Sequence, residues 1–189
     1  MRPIEVSEIK NIAEYELERP ELRPNMIALK DRRHVRVGGH LTFLFENRET
    51  VRYQIQEMMR IERMALPEAI RHEVDTYNEL IPNQGELSAC LLIEYESPGE
   101  RDVRLRELRG LEEHVWIAVA DLPPTRARFD TRQISTDRLS SVQYIKFPLT
   151  AEQRAHWKNG ARIVVRHPSF RAEQPLTAAQ LAELGEDFA

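Results

Sequence analysis

Residues 34–66 read HVRVGGHLTFLFENRETVRYQIQEMMRIERMAL, and the period of their apolar residues changes from strand-like to helix-like near the middle. Between His34 and Phe45 the apolar side chains alternate, which is typical of a strand with one buried face. That face consists of Val35, Val37, Leu41, Phe43 and Phe45. Asn47 is a favourable helix N-cap, and the residues after it predict an amphipathic helix over 48–66.

Helices are also predicted on both sides of this stretch. Ser7 can cap a short helix, and a second helical stretch follows Pro20. Pro67 fits the first position of a helix that extends to about Leu80. Within the strand, Gly38-Gly39 predicts a bulge or a close backbone approach.

The chain after the turn at 82–85 is mostly strand. The predicted strands cover 87–96, 115–120, 126–129, 142–147 and 162–167, with a short helix favoured within 101–109. Two capping boxes, Thr150 with Gln153 and Thr177 with Gln180, predict two further short helices.

This order of elements predicts an α+β fold, with a mostly antiparallel sheet, a helical N-terminal half packed on one face and short C-terminal helices. A single domain over 1–189 is expected, because no linker-like segment divides the chain. Its parts are an N-terminal helical segment (1–33), a strand plus a helix pair (34–81) and a mainly β remainder with two short helices (82–189). The predicted core includes Phe43, Phe45, Ile55, Met58, Leu91, Ile117 and Ile163.

Composition excludes several classes of protein. The net charge of −4 disfavours a nucleic-acid binder. No apolar stretch approaches the roughly 20 residues of a membrane helix, and the N-terminus does not resemble a secretory signal. The single cysteine, Cys90, fits a reducing compartment and cannot supply a thiolate cluster. We therefore expect a cytoplasmic protein without a membrane or nucleic-acid partner.

Four stretches resemble one bacterial family. They are VGGHLTFLFEN at 37–47, QIQEMMRIER at 54–63, GELSA at 85–89 and EHVW at 113–116. Together with the overall length they resemble the uncharacterised family catalogued as domain of unknown function 3501. The resemblance implies genes that lie beside those of rubrerythrin-like and iron–sulfur oxidoreductase proteins. Such a protein partner, and a role in redox or oxidative-stress chemistry, are therefore what the resemblance implies, with no catalytic residue to carry over.

Motifs for cofactors and catalysis are sparse. Glu68, His72 and Asp75 could share one face of the second helix of the pair, which makes them weak metal candidates. Neither helix contains the Glu-x-x-His signature of di-iron bundles, so we predict no metal and no cofactor. Gly-rich phosphate loops and the Gly-x-Ser-x-Gly elbow are absent from the sequence, and Cys90 lies in an apolar strand.

Glu62 conflicts with the pattern of its own helix. The helical wheel places it between Val51 and Ile55 on the apolar stripe, where a carboxylate needs a partner. The sequence therefore predicts a buried Glu62 paired with an arginine, Arg36 or one of the later strands, in either a structural ion pair or a ligand pocket. The candidate ligand-binding residues are Glu62, Arg60, Arg63, Arg36 and His40.

Three functions follow from these observations. The leading hypothesis is a non-catalytic accessory or regulatory protein of a bacterial redox system, acting through a protein partner or a small acidic ligand. The alternative is a small enzyme with a carboxylate–arginine pocket between the helix pair and the sheet. A nucleic-acid regulator is third, since the charge and the motifs both disfavour it.

Overall fold

The computed structural model describes residues 1–133 and 137–188. The first half contains α1 (Ile12–Arg32), β1 (His34–Val37), β2 (Leu41–Glu46), α2 (Arg48–Glu62), α3 (Pro67–Asn78) and β3 (Glu86–Ile93). It continues with α4 (Pro98–Glu107), β4 (Val115–Val119), β5 (Thr125–Arg126), β6 (Arg128–Phe129) and β7 (Val142–Pro148). The last elements are α5 (Ala151–Ala155), β8 (Ala161–His167), β9 (Phe170–Pro175) and α6 (Ala178–Gly185). No helix of these described ranges is long and apolar enough to cross a bilayer.

The strands form two antiparallel sheets that share one apolar core. The five-stranded sheet has the order β1-β2-β3-β7-β6, and the four-stranded sheet has the order β5-β4-β8-β9. Alternating side chains of both sheets, such as Phe43, Leu91, Ile117 and Ile163, point into the space between them. The α+β prediction is confirmed, although the strands expected in one sheet are divided between two.

One short segment passes from one sheet to the other. Residues 126–129 were predicted as a single strand, but β5 pairs with β4 whereas β6 pairs with β7. Between them, the Ala127 amide donates a hydrogen bond to the Val115 carbonyl, so the crossing keeps its backbone paired. β9 has no counterpart among the predicted strands, because half of its residues are polar and its positions alternate between half-buried and exposed without a fully buried face.

Gly38 and Gly39 form the turn of a hairpin rather than a bulge. Both have positive φ, which reverses the chain between β1 and β2. A Cβ on Gly38 would lie 2.5 Å from Cζ of Phe170 and 2.9 Å from Cβ of Ala172, both in β9. Gly38 is therefore the point where the edge strand of one sheet approaches the edge strand of the other.

We predict that Gly38→Ala destabilises the fold more than Gly39→Ala. Both substitutions place alanine at positive φ, which costs about 1 kcal/mol, but a Cβ on Gly39 meets nothing within 4 Å. The clash with Phe170 should add about 1–3 kcal/mol at Gly38. Urea unfolding of the two variants measures the difference, and equal free energies of unfolding would mean that the two edges do not touch in solution.

The helical layer has a second apolar core of its own. Val51, Ile55 and Met59 of α2 pack with Val74 of α3, and the buried residues Ile4 and Ile81 complete this cluster. The N-cap by Asn47 is confirmed, but α2 ends at Glu62 instead of about residue 66, because Arg63 takes a left-handed conformation with φ 53°. The two C-terminal capping boxes are confirmed at Thr150 and Thr177.

The core prediction holds for six of seven residues. Phe43, Phe45, Ile55, Leu91, Ile117 and Ile163 are buried. Met58 is only half-buried, because it lies one position from Met59 on α2 and faces an open cleft. The N-terminal helices also differ from the prediction, since α1 runs unbroken through Pro20 and Pro24, both exposed to solvent.

Arg33 ties the N-terminal half to the C-terminal helix. Its side chain is 1% exposed, and Nε donates to the Phe45 carbonyl at 3.0 Å. The Nη atoms bind the Glu46 carbonyl at 3.2 Å and the carboxylates of Glu183 and Asp187. A buried guanidinium is tolerated only with such complete pairing, so these five residues must come together.

Glu57 of α2 binds two side chains of α1 and so holds the two helices together. Its carboxylate accepts hydrogen bonds from Tyr15 Oη at 2.6 Å and from Arg19 Nε at 2.6 Å, with Arg60 Nη2 at 3.2 Å. Burial raises the pKa of Glu57, but the bonds from Arg19 and Tyr15 and the charge of Arg60 outweigh it and lower the pKa to about 2. The same burial and the neighbouring carboxylate raise the pKa of the Tyr15 hydroxyl, which stays a donor.

We predict that the stabilising effect of Glu57 is lost in acid. A lowered pKa in the folded state stabilises the protein above the ordinary value of 4.5, and that contribution disappears as pH falls from 4.5 toward 2. Glu57→Gln should therefore be less stable than the parent by about 1–2 kcal/mol near neutral pH, after allowance for solvent screening, and equal to it near pH 2. Glu21→Gln, on the exposed side of α1, is the control and should show no such difference. Denaturant titrations at several pH values measure it, and a pH-independent gap would contradict the assignment.

Candidate functional site

A cleft of about 990 Å³ lies between the helix pair α2–α3 and the outer face of the five-stranded sheet. It separates the helical core from the core between the sheets. Aromatic and apolar side chains provide much of its wall: Met58, Tyr77, Leu80, Phe129 and Tyr144. A concave site with apolar walls and a few polar groups is the usual form of a small-molecule site.

A polar row crosses three strands on the outer face of the sheet, and two of its residues, Ser88 and Lys146, line the floor of the cleft. Glu46 of β2, Ser88 of β3 and Lys146 of β7 are direct cross-strand partners and share the outer face. Glu46 is 3% exposed, and its oxygens accept hydrogen bonds from Thr50 Oγ1 and from Gln54 Nε2 at 2.7 Å. Those bonds also hold the first turns of α2 against the sheet.

Ser88 is the polar residue of the floor that remains available. It is 3% exposed and lines the cleft, yet its hydroxyl makes no hydrogen bond to any residue in the described parts of the chain. Lys146, next to it, is engaged, since Nζ lies 3.1 Å from Glu86 Oε1 and 3.5 Å from the Ile81 carbonyl. Because the Ser88 hydroxyl opens onto the cleft and has no partner among the described residues, it is available to hydrogen-bond a ligand or a solvent molecule.

The two tyrosines of the cleft keep their protons. Burial raises the pKa of Tyr77, and the charges of Glu73 and Glu62 raise it further. Burial likewise raises the pKa of Tyr144, with a contribution from Glu46. Both rings therefore face the cleft as neutral hydroxyl donors in a negative electrostatic field.

One rim of the cleft is an ion-pair cluster around Arg132. Its guanidinium binds Asp130, with Nη2 2.8 Å from Oδ2 and Nε 3.0 Å from Oδ1, and it also contacts Glu79. These bonds from Arg132 hold the pKa of Asp130 below its ordinary value. The sequence analysis missed the cluster because Asp130 and Arg132 follow the crossing strand and meet α3 only in the fold.

The predicted site residues do not assemble into one site. Glu62 lines the cleft but is exposed, and it forms no ion pair within residues 1–133 and 137–188, so its predicted burial and arginine partner were wrong. Its helix ends at that residue, beyond the packed stripe, and the side chain falls at the open mouth instead of the core. Arg36, the expected partner, lies 3.8 Å from Glu94 at the far end of the sheet.

The other three candidates also lie apart. Arg60 is bound to Glu57 at 3.2 Å and to Glu16 at 3.6 Å, and Arg63 is exposed at the end of α2. The ring of His40 stacks on Tyr95 with centroids 4.2 Å apart, beside Arg36 rather than Glu62. Ligand binding by these residues stays a prediction, and of the five only Glu62 lines the cleft.

Metal and thiol chemistry find little support in the arrangement. Glu68, His72 and Asp75 are all exposed, and no three His, Cys, Asp or Glu side chains among the described residues lie close enough to hold an ion. Burial raises the pKa of the Cys90 thiol to about 12, so this side chain is a protonated, half-buried group of the outer sheet face.

We predict that a strong chelator leaves stability unchanged. The fold rests on apolar cores and ion pairs of the chain itself, so treatment with EDTA followed by urea unfolding should give the same free energy of unfolding as the untreated protein. Elemental analysis of the purified protein provides the second measurement. Stoichiometric zinc or iron, or a stability lost with EDTA and restored by the metal, would contradict this.

Comparison with known proteins identifies the family to which this chain belongs. Residues 3–188 match the model of the family described as protein of unknown function (DUF3501), and the chain belongs to that family. A solved structure, described as a novel protein of unknown function from Burkholderia pseudomallei K96243, is similar to it over 100% of both chains, with 30% identity and a TM-score of 0.92. The search of curated proteins finds no match.

Proposed function

We propose that the protein is a cytoplasmic, non-catalytic accessory or regulatory protein that binds a small molecule in the cleft between α2–α3 and the five-stranded sheet. The observation that carries the proposal is Ser88, a residue 3% exposed whose hydroxyl has no intramolecular partner within the described residues and opens onto the floor of a cleft with aromatic walls. Such a combination of apolar wall and a few free polar groups fits recognition of an organic ligand.

Binding is favoured over catalysis by the state of the groups around Ser88. Activation of a serine needs a base within hydrogen-bond reach. Its cross-strand neighbours are Lys146, whose ammonium is bound to Glu86 and Ile81, and Glu46, whose oxygens are bound to Thr50 and Gln54. Neither neighbour is therefore placed to remove the proton from the serine.

The proposal also includes a role for this protein in a redox or oxidative-stress system. That part is supported by what the family resemblance implies about neighbouring genes. Because the Cys90 thiol is protonated at physiological pH, the chain does not offer a reactive thiolate of its own. A redox role would therefore run through a protein partner, such as a rubrerythrin-like or iron–sulfur oxidoreductase protein, with the bound small molecule as the regulatory signal.

A small enzyme remains the second candidate, and one observation favours it. The sequence alternative placed a carboxylate–arginine pocket between the helix pair and the sheet, and Arg132 with Asp130 and Glu79 forms such a cluster on the rim of the cleft. In that case the bound molecule would be converted, whereas an accessory protein would release it unchanged.

We predict that filling the floor of the cleft abolishes ligand binding without unfolding the protein. A library of small organic fragments, followed by NMR of the labelled protein, should yield fragments that shift the resonances of Tyr77 and Tyr144. Ser88→Leu should weaken their binding at least about tenfold, because the larger side chain occupies the floor. Ser169→Leu, in the exposed turn between β8 and β9, is the matched control and should bind as the parent does.

Three outcomes separate the possibilities. Fragments that bind the parent and the control but not Ser88→Leu support the proposal. Chemical conversion of a bound fragment would replace it by the enzyme alternative. Fragments that bind elsewhere, or none that bind at all, would overturn the assignment of the cleft. An unfolding temperature of Ser88→Leu close to that of the parent shows that a loss of binding in this variant is not a loss of fold.

A further inference from the structure

The cleft has more negative than positive charge, and its positive charges are already used. Four carboxylates line it, namely Glu62, Glu73, Glu79 and Asp130, against two cationic side chains, Arg132 and Lys146, and one histidine, His72. Arg132 is bound to Asp130 and Glu79, and Lys146 is bound to Glu86. An incoming anion would therefore find no free cation among these lining residues and would approach several carboxylates.

Two of the carboxylates are free to accept a cation. Glu62 is the last residue of α2 and Glu73 lies in the middle of α3, and neither forms an ion pair or hydrogen bond with the described parts of the chain. Their field reaches the aromatic wall, because burial raises the pKa of the Tyr77 hydroxyl and the charges of Glu73 and, to a smaller extent, Glu62 raise it further. The negative potential of the mouth thus extends into the cleft.

The aromatic wall suits the same kind of ligand. Tyr77, Tyr144 and Phe129 line the cleft, and aromatic faces attract ammonium and guanidinium groups when these are partly desolvated. The hydroxyl of Ser88, which has no partner among the described residues and opens onto the floor of the cleft, is a second and independent feature that can hydrogen-bond the polar group of such a ligand. The cleft thus has carboxylates at its mouth, aromatic rings along its wall and a hydroxyl on its floor. Each of these groups can contact a different part of one ligand.

From this arrangement we infer that the ligand of the cleft is an organic cation, an amine or amidine carried on an aromatic or apolar body. The inference rests on the proposed function and specifies the ligand class for the same site. It replaces the small acidic ligand of the sequence hypothesis with a ligand of opposite charge. Glu62 and Glu73 attract the cationic group, and the walls take the apolar body.

Three probes of similar size and different charge test the inference. Phenethylamine is cationic, phenethyl alcohol is neutral and phenylpropionate is anionic at neutral pH, and their affinities are measured by NMR titration of the cleft resonances. Phenethylamine should bind at least about fivefold more tightly than either of the others, and its advantage should shrink as salt is added.

Glutamine variants assign the effect to the two carboxylates. The double variant Glu62→Gln with Glu73→Gln should lose about 5- to 10-fold in phenethylamine affinity and keep its affinity for phenethyl alcohol. Glu68→Gln, an exposed carboxylate of α3 that does not line the cleft, is the matched control and should change neither affinity. Thermal unfolding of each variant shows that the fold is intact.

The results distinguish this inference from the proposed function. If phenylpropionate binds as tightly as the amine, or if the double variant leaves amine affinity unchanged, the inference is overturned while the cleft remains a binding site. If none of the three probes binds but other fragments still occupy the cleft and are lost in Ser88→Leu, the cation is again wrong and the proposed function stands. An empty cleft in both experiments overturns both.

Discussion

The pairing of one buried arginine constrains the whole fold. The side chain of Arg33, which follows the last residue of α1, is buried. Its guanidinium needs hydrogen-bond and charge partners, and these come from residues that are distant in the sequence. The carbonyls of Phe45 and Glu46 come from β2, and the carboxylates of Glu183 and Asp187 come from the C-terminal helix and the turn that follows it. Breaking a buried pair of this kind costs about 3–5 kcal/mol, which is a large part of the stability of a typical domain. The two ends of the chain are therefore held together by electrostatics as well as by apolar contact.

The position of the cleft follows from that same junction. Arg33 binds the carbonyl of Glu46, and the side chain of Glu46 binds Thr50 and Gln54 in the first turns of α2. The start of α2 is thereby fixed on the sheet, whereas Ile55 and Met59 further along pack in the helical core with Val74, Ile4 and Ile81. The helix pair thus stays close to the sheet at one end and leaves the space near Glu62 open at the other.

Much of the local structure could be predicted from the sequence, because its causes are local. Asn47, Thr150 and Thr177 cap helices through bonds to residues three positions away, and the alternating apolar residues of β1 and β2 mark the face that packs between the sheets. The class of fold follows from the order of such elements. Gly38-Gly39 predicted a bulge or a close backbone approach; the pairing of β1 with β2 makes it a hairpin turn, and the close approach is that of Phe170 in β9 to Gly38.

The cleft could not be predicted in the same way, because it is formed by contacts between elements that the periodicity of a single element does not reveal. Glu62 continues the buried stripe of α2 on a helical wheel, but a wheel does not show where the packing partners of that stripe end. The alternating polar residues of β3 and β7, Ser88 and Lys146 among them, did carry a signal, because a strand face with those side chains cannot be covered by an apolar helix stripe. A reading of both faces of each strand, rather than of the core face alone, would have located the floor.

The polar floor also explains why the protein has two apolar cores instead of one. If the outer face of the sheet were apolar, the stripe of Val51 and Ile55 could pack on it directly and the cleft would close. Instead that stripe packs on Val74 and its neighbours, and the core between the sheets forms separately. The helices span this polar floor without filling the space above it, so the Ser88 hydroxyl on the floor and the Glu62 and Glu73 carboxylates of the helix pair keep their hydrogen-bonding capacity for a bound molecule or for solvent. The division of the core and the negative charge of the cleft both support the proposal that a cationic molecule binds at this layer boundary.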